Sequence, residues 1–178
     1  DNRTPVYIAA ANGCSKAITM LKAAGANLNT PDKQDKPPFY MAAYNGHAEV
    51  INTLVNAGVA IIDVNDDGEN LVYQAAEKGR ADIVVALGAA GLNVNTPDKD
   101  GRTPVYIAAQ QGHARAIAAL KAAGANVNTS NKYGTTPLYI AVEQGHERAF
   151  SALLEAGANV SFFRNSNTEA VLEQIRRQ

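Results

Sequence analysis

His47, His113 and His146 are the only histidines in 178 residues, and imidazole is the side chain most used for metal binding and for proton transfer near neutral pH. They are separated by whole multiples of 33 residues. In an array with one unit per period they stand a unit width apart, too far to share an ion that takes bonds of about 2.1 Å. Cys14 is the only cysteine, which rules out an internal disulfide and leaves no thiol set for zinc. The many aspartates fall in turn sequences, where carboxylates bond the local backbone, and not as a pair placed for acid–base work. No Gly-rich phosphate loop, nucleophile elbow, H-E-x-x-H or C-x-x-C occurs. The chain is therefore expected not to be an enzyme and to need no cofactor or metal. Asn128-Thr129-Ser130 and Asn159-Val160-Ser161 match glycosylation sequons. With no secretion signal beside them, both are read as chance matches.

Sixteen basic and seventeen acidic side chains leave a net charge of −1, so no summed field draws the chain to nucleic acid or anionic lipid. No apolar run approaches the length needed to span a membrane. The N-terminus shows neither a signal peptide nor an initiator Met, and the chain reads as an excerpt from something longer. A reducing, cytoplasmic setting fits the single thiol.

The positions just described are carried by a repeat. The sequence matches itself at a period of 33, dividing residues 1–165 into units at 1–33, 34–66, 67–99, 100–132 and 133–165. The first and fourth units agree at 22 of 33 positions, so the others read as departures from a shared template. Each unit opens with a polar turn such as Asp98-Lys99-Asp100-Gly101, whose Gly permits a positive φ. Thr103-Pro104 then supplies an N-cap and a first helical residue whose missing N–H would have no partner. A short helix carries Val105, Ile107, Ala108 and Ala109. Gly112 ends it. A second helix runs from about His113 with Ile117 and Leu120 inward, Gly124 stops it, and Ala125-Asn126-Val127-Asn128 forms an extended arm. One such unit cannot cover its own apolar face, but stacked copies bury one another's. After Asn165 the template ends, and Ser166 with Glu169 forms a capping box ahead of Val171, Leu172 and Ile175. Residues 166–178 are read as a C-terminal capping helix or a partial sixth repeat.

Thr4-Pro5-Val6-Tyr7-Ile8-Ala9-Ala10, Thr103-Pro104-Val105-Tyr106-Ile107-Ala108-Ala109 and Thr136-Pro137-Leu138-Tyr139-Ile140-Ala141, followed by Gly46-His47, Gly112-His113 and Gly145-His146, resemble the ankyrin repeat family. The family hallmark is Thr-Pro-Leu-His-x-Ala-Ala, then Gly-His, then Leu-Leu-x-x-Gly-Ala-x-x-Asn. The resemblance implies an all-α solenoid of stacked helix-turn-helix units with hairpin-like arms. It also implies a protein-interaction module that uses a concave surface of turn tips and first helices. At the family's first His this chain has Tyr7, Tyr40, Tyr73, Tyr106 and Tyr139. Because this position recurs with the period of the fold, the tyrosines are read as a repeated core hydrogen bond. Asn29, Asn95 and Asn128 resemble the hairpin asparagines that an asparaginyl hydroxylase modifies in this family. Here Asn27, Asn93 and Asn126 replace the acidic residue usual two places earlier.

The positions that vary on the implied surface are the expected partner-binding set. Lys33, Lys36, Asp66, Asp67, Glu69, Lys99, Asp100, Arg102 and Tyr133 lie in turns, and Tyr44, Asn45, Glu77, Lys78, Gln110, Gln111 and Glu143 on first helices. They are long, polar and mixed in sign, which suits a selective protein surface. Ile62 and Val64 join them as the partner's anchor, because alternation along the arm sets both opposite Ile61, which is expected to face inward. The partner is a protein of unknown identity, and the chain is expected to be monomeric, with no nucleic-acid or membrane partner. The alternative reading is a structural spacer or scaffold segment of a larger multidomain protein. A host-directed bacterial effector, working in the host cytoplasm, is one such case, and an engineered ankyrin scaffold is another.

Overall fold

The computed structural model of the chain describes residues 2–61 and 70–160. Among the described residues there are ten helices and no strand, arranged as five helix pairs. The first helices are α1 (Pro5–Ala11), α3 (Pro38–Asn45), α5 (Leu71–Glu77), α7 (Pro104–Gln110) and α9 (Pro137–Glu143). The second helices are α2 (Ser15–Ala23), α4 (Ala48–Asn56), α6 (Ala81–Ala89), α8 (Ala114–Ala122) and α10 (Glu147–Glu155). At two turns or so, none is long enough to persist alone in water, so the stack must hold each helix.

Local chemistry sets the ends. The Thr4, Thr103 and Thr136 hydroxyls accept the backbone N–H of Tyr7, Tyr106 and Tyr139 at 3.1–3.2 Å, each followed by Pro at the first helical position. In α5 the Asn70 amide oxygen does the same for Tyr73 at 2.7 Å, and its Nδ2 donates to the Asn93 carbonyl. Pro37, before α3, offers no side-chain cap.

First helices pack on first helices and second on second along the series, while each pair also packs within itself. The core repeats with the sequence. Val6, Phe39, Val72, Val105 and Leu138 are buried at one place in the unit, and Ile18, Ile51, Val84, Ile117 and Phe150 at another. Alanines 9–10, 42–43, 75–76 and 108–109 are also buried, and their small side chains let successive first helices approach closely.

One expectation fails in the arms. Leu28, Val94 and Val127 are buried, but Ile61, at the same place in the second arm, is 37% exposed. Alternation along an extended arm fixes the side on which a residue falls, but it does not supply a neighbour to cover that side. The anchor residues Ile62 and Val64, the turn residues Asp66, Asp67 and Glu69, and the capping helix at 166–178 lie outside the described residues.

Candidate functional site

The side chains with the most chemical potential are spent on holding units together. Nε2 of His47 stands 3.0 Å from the Ala11 carbonyl, that of His113 3.0 Å from Glu77, and that of His146 3.0 Å from Gln110. Each histidine opens a second helix and ties to the end of the preceding pair's first helix. The ring leans on the glycine that ends that helix: a Cβ at Gly13, Gly79 or Gly112 would lie 2.7–2.8 Å from the next histidine's Nδ1. All three glycines also have φ between 67° and 77°. In the third pair Arg80 takes the histidine's place and its guanidinium donates to the Tyr44 carbonyl.

A second set of ties uses the tyrosines. Tyr7 Oη donates to Asp32 Oδ2 at 2.7 Å and Tyr73 Oη to Asp98 Oδ2 at 3.0 Å, while Asn131 Nδ2 donates to Tyr106 Oη at 3.2 Å. Each acceptor or donor belongs to the turn that opens the next unit. The same turn residue caps its own turn: Asp32 Oδ1 accepts the Gln34 and Lys36 N–H groups, Asp98 Oδ1 those of Asp100 and Arg102, and Asn131 Oδ1 those of Tyr133 and Thr135. Burial would push the Asp32 and Asp98 carboxyls up. The Tyr7 hydroxyl and two backbone N–H groups outweigh it at Asp32, and the Arg102 N–H, its guanidinium and the Tyr73 hydroxyl outweigh it at Asp98, so both fall below the ordinary carboxylate value. Burial, together with the adjacent carboxylate, pushes the Tyr7 and Tyr73 hydroxyls up. Tyr139 departs from the row, being 46% exposed.

A third set ties the arms. Oδ1 of Asn29, Asn95 and Asn128 accepts the backbone N–H of Ala60, Asn126 and Asn159 in the following arm at 2.7–3.0 Å. The asparagines flagged for modification thus already carry a structural bond.

Stacked helix pairs, a histidine–glycine latch and polar turns all recurring every 33 residues are one architecture. The chain belongs to the ankyrin repeat family. A model described as ankyrin repeats (3 copies) matches residues 6–98 and again 72–163. None of the curated proteins matches the chain. Ankyrin repeats are generally protein–protein interaction modules and are typically non-catalytic.

What the ankyrin ties leave over is the row of turn tips and first-helix ends. Lys33, Lys99, Glu77, Gln111 and Glu143 are exposed there, and Tyr133 is 81% exposed at its turn. Three expected residues are partly committed elsewhere. Arg102 places Nε and Nη2 each 2.7 Å from Asp98 Oδ2, Asp100 gives its carbonyl to the Lys132 N–H, and Asn45 donates to the Ala11 carbonyl at 2.9 Å. Gln110 is half-buried, and its Oε1 has no partner among the described residues. The structure brings four side chains into one stack. Lys36 Nζ lies 4.9 Å over the Tyr40 ring, Tyr40 stacks on Tyr44 at 6.0 Å with an interplanar angle of 14°, and Lys78 Nζ lies 4.0 Å over Tyr44. Tyr40 was not among the expected residues, although its spacing of four from Tyr44 on one helix was a readable sign of contact.

Proposed function

We propose that this chain binds a partner protein along the concave edge made by its turn tips and first helices, with Tyr44 and Lys78 near the centre of the contact. The observation that carries this reading is the Lys36–Tyr40–Tyr44–Lys78 stack. Tyr44 remains 44% exposed while its ring is held between a tyrosine and an ammonium group, so a large amphipathic side chain is presented already ordered. Such preorganised aromatic positions lose little entropy on binding and dominate interface energetics. Lys33, Lys99, Gln111, Tyr133 and Glu143 extend the edge with mixed charge, which favours selectivity over a general attraction to polyanions. Five units at 1–33, 34–66, 67–99, 100–132 and 133–165, a monomeric state and an intracellular site of action belong to the same proposal. Among the described residues no helix is long and apolar enough to cross a membrane.

The test is affinity capture with the intact chain and with Tyr44→Ala/Lys78→Ala, followed by titration of the purified partner. Both proteins must first show the same helical content and melting temperature. The proposal requires a weakening of tenfold or more, about 1.4 kcal/mol, in the double variant. Equal affinity would remove the stack from the interface.

A further inference from the structure

Neighbouring pairs share the same ties at three of the four seams, and the remaining seam departs from the pattern in four separate ways. The arm tie made by Asn29, Asn95 and Asn128 needs a side-chain acceptor. At the corresponding place after the second pair stands Ile62, which has none. An isoleucine side chain cannot accept that bond.

The apolar side of the same seam is also thin, since Ile61 is exposed where Leu28, Val94 and Val127 are covered. On α5, Gln74 takes the place filled in later pairs by the buried Ile107 and Ile140. It is only 8% exposed, and its Nε2 finds no acceptor among the described residues. A buried donor left unpaired opposes docking of the surface that buries it. Finally, the histidine latch is replaced by Arg80. A Cβ at Gly46 would lie 3.3 Å from the guanidinium, against 2.7–2.8 Å from each histidine ring, so the fit on the glycine is looser. Consistent with these changes, α3 meets α5 more sparsely than any other two successive first helices meet, while α4 meets α6 about as sparsely as α2 meets α4.

The departures sit on an arm, on α5 and at the start of α6, yet all fall at the seam between the second and third pairs. We infer that the array is built as two cooperative blocks, the helix pairs α1 to α4 and the helix pairs α5 to α10, and that the two-pair block releases as a unit before the three-pair block opens. A stack with only nearest-neighbour contacts parts at its weakest interface. Two detached pairs then bury too little to stay folded, since about three repeats are needed for a stable array. Among the described residues, two ties across the seam converge on Tyr44, whose carbonyl takes Arg80 and whose ring takes Lys78. A partner covering Tyr44 would hold the blocks together, a regulatory consequence that rests on the concave-edge reading, whereas the seam itself does not.

Native-state hydrogen exchange of the intact chain in low, increasing urea tests the seam without any partner. The expected result is one shared opening for the amides of α1 to α4, with protection at least tenfold below that of α7 to α10. Stepwise fraying, with α3 and α4 clearly better protected than α1 and α2, would overturn it, as would one opening common to all ten helices. Ile62→Asn/Gln74→Ile restores the template at two of the four departures and should raise protection of α1 to α4 tenfold or more while α7 to α10 stay within threefold. A folded double variant with no such gain overturns the inference. Asn95→Ile supplies an independent arm: by removing the tie at an intact seam it should lower protection of α5 and α6 toward that of α1 to α4, and unchanged protection there also counts against the two-block scheme. Partner affinity plays no part in these readouts, so failure here leaves the binding proposal standing, and failure of binding leaves the seam standing.

Discussion

The Tyr73 hydroxyl donates to the Asp98 carboxylate across 3.0 Å, joining the first helix of the third pair to the turn that opens the next unit. Tyr7 makes the same bond to Asp32, and Tyr106 meets Asn131, so one geometric tie is built once with each of two aspartates and once with a neutral amide.

That difference predicts unequal costs for removing the hydroxyl. Hydrogen bonds to charged groups contribute roughly 1.5–3 kcal/mol, and neutral ones about 1 kcal/mol. Tyr7→Phe, which strips the buried Asp32 of its side-chain donor, should cost in the upper range. Tyr106→Phe should cost about 1 kcal/mol and leave partner affinity unchanged. Urea unfolding with an unchanged m-value measures both. Equal losses would mean that the acceptor's charge contributes nothing.

The same pairs set the pH range of stability. The Asp32 and Asp98 carboxyls have folded-state values below their ordinary one, so below about pH 4 the unfolded chain binds more protons and stability rises with pH. Their contribution is complete above the ordinary carboxylate value and is lost as pH falls through the depressed folded values. Tyr7 and Tyr73 run the other way. Their values are raised, so their contribution is complete below about pH 9 and is lost as pH climbs past the ordinary tyrosine value near 10. Thermal unfolding between pH 2 and 11 should show a plateau with both flanks falling. Asp98→Asn keeps the turn cap, as Asn131 does naturally, and should lower the plateau while flattening the acid flank. An unaltered acid flank would exclude Asp98 as a source of it.

Much of this was legible in the chain because it depends on local chemistry. Thr-Pro pairs fix helix starts, glycines fix helix ends, and a period of 33 places Tyr7, Tyr73 and Tyr106 at equivalent buried sites whatever the rest of the unit does. What the pattern did not reveal depends on relations between units. Ile61 and Val127 are both apolar and stand at the same place in the arm, yet one is 37% exposed and the other 3%. Likewise, the pattern marks Arg102 and Lys78 alike as variable cations. Only in three dimensions does Arg102 fold back on Asp98 while Lys78 crosses to Tyr44 of the preceding pair.

The histidine latch gives the sharpest steric prediction. Gly112 and Gly124 have similar backbone conformations, with φ of 77° and 89°, but a Cβ at Gly112 would lie 2.8 Å from His146 Nδ1, while one at Gly124 would meet nothing within 4 Å. Gly124→Ala should therefore cost only the left-handed strain, roughly 1–2 kcal/mol less about 0.4–1 kcal/mol regained from a stiffer unfolded chain. Gly112→Ala bears the same strain and must also push the imidazole away, breaking its 3.0 Å contact with the Gln110 carbonyl, which adds about 1–3 kcal/mol. A double-mutant cycle separates the two terms. In a His146→Ala background the ring is gone, and Gly112→Ala should cost no more than Gly124→Ala does in the parent. If the penalty at Gly112 persists undiminished without the imidazole, the glycine is required by its backbone alone and the latch does not dictate its identity.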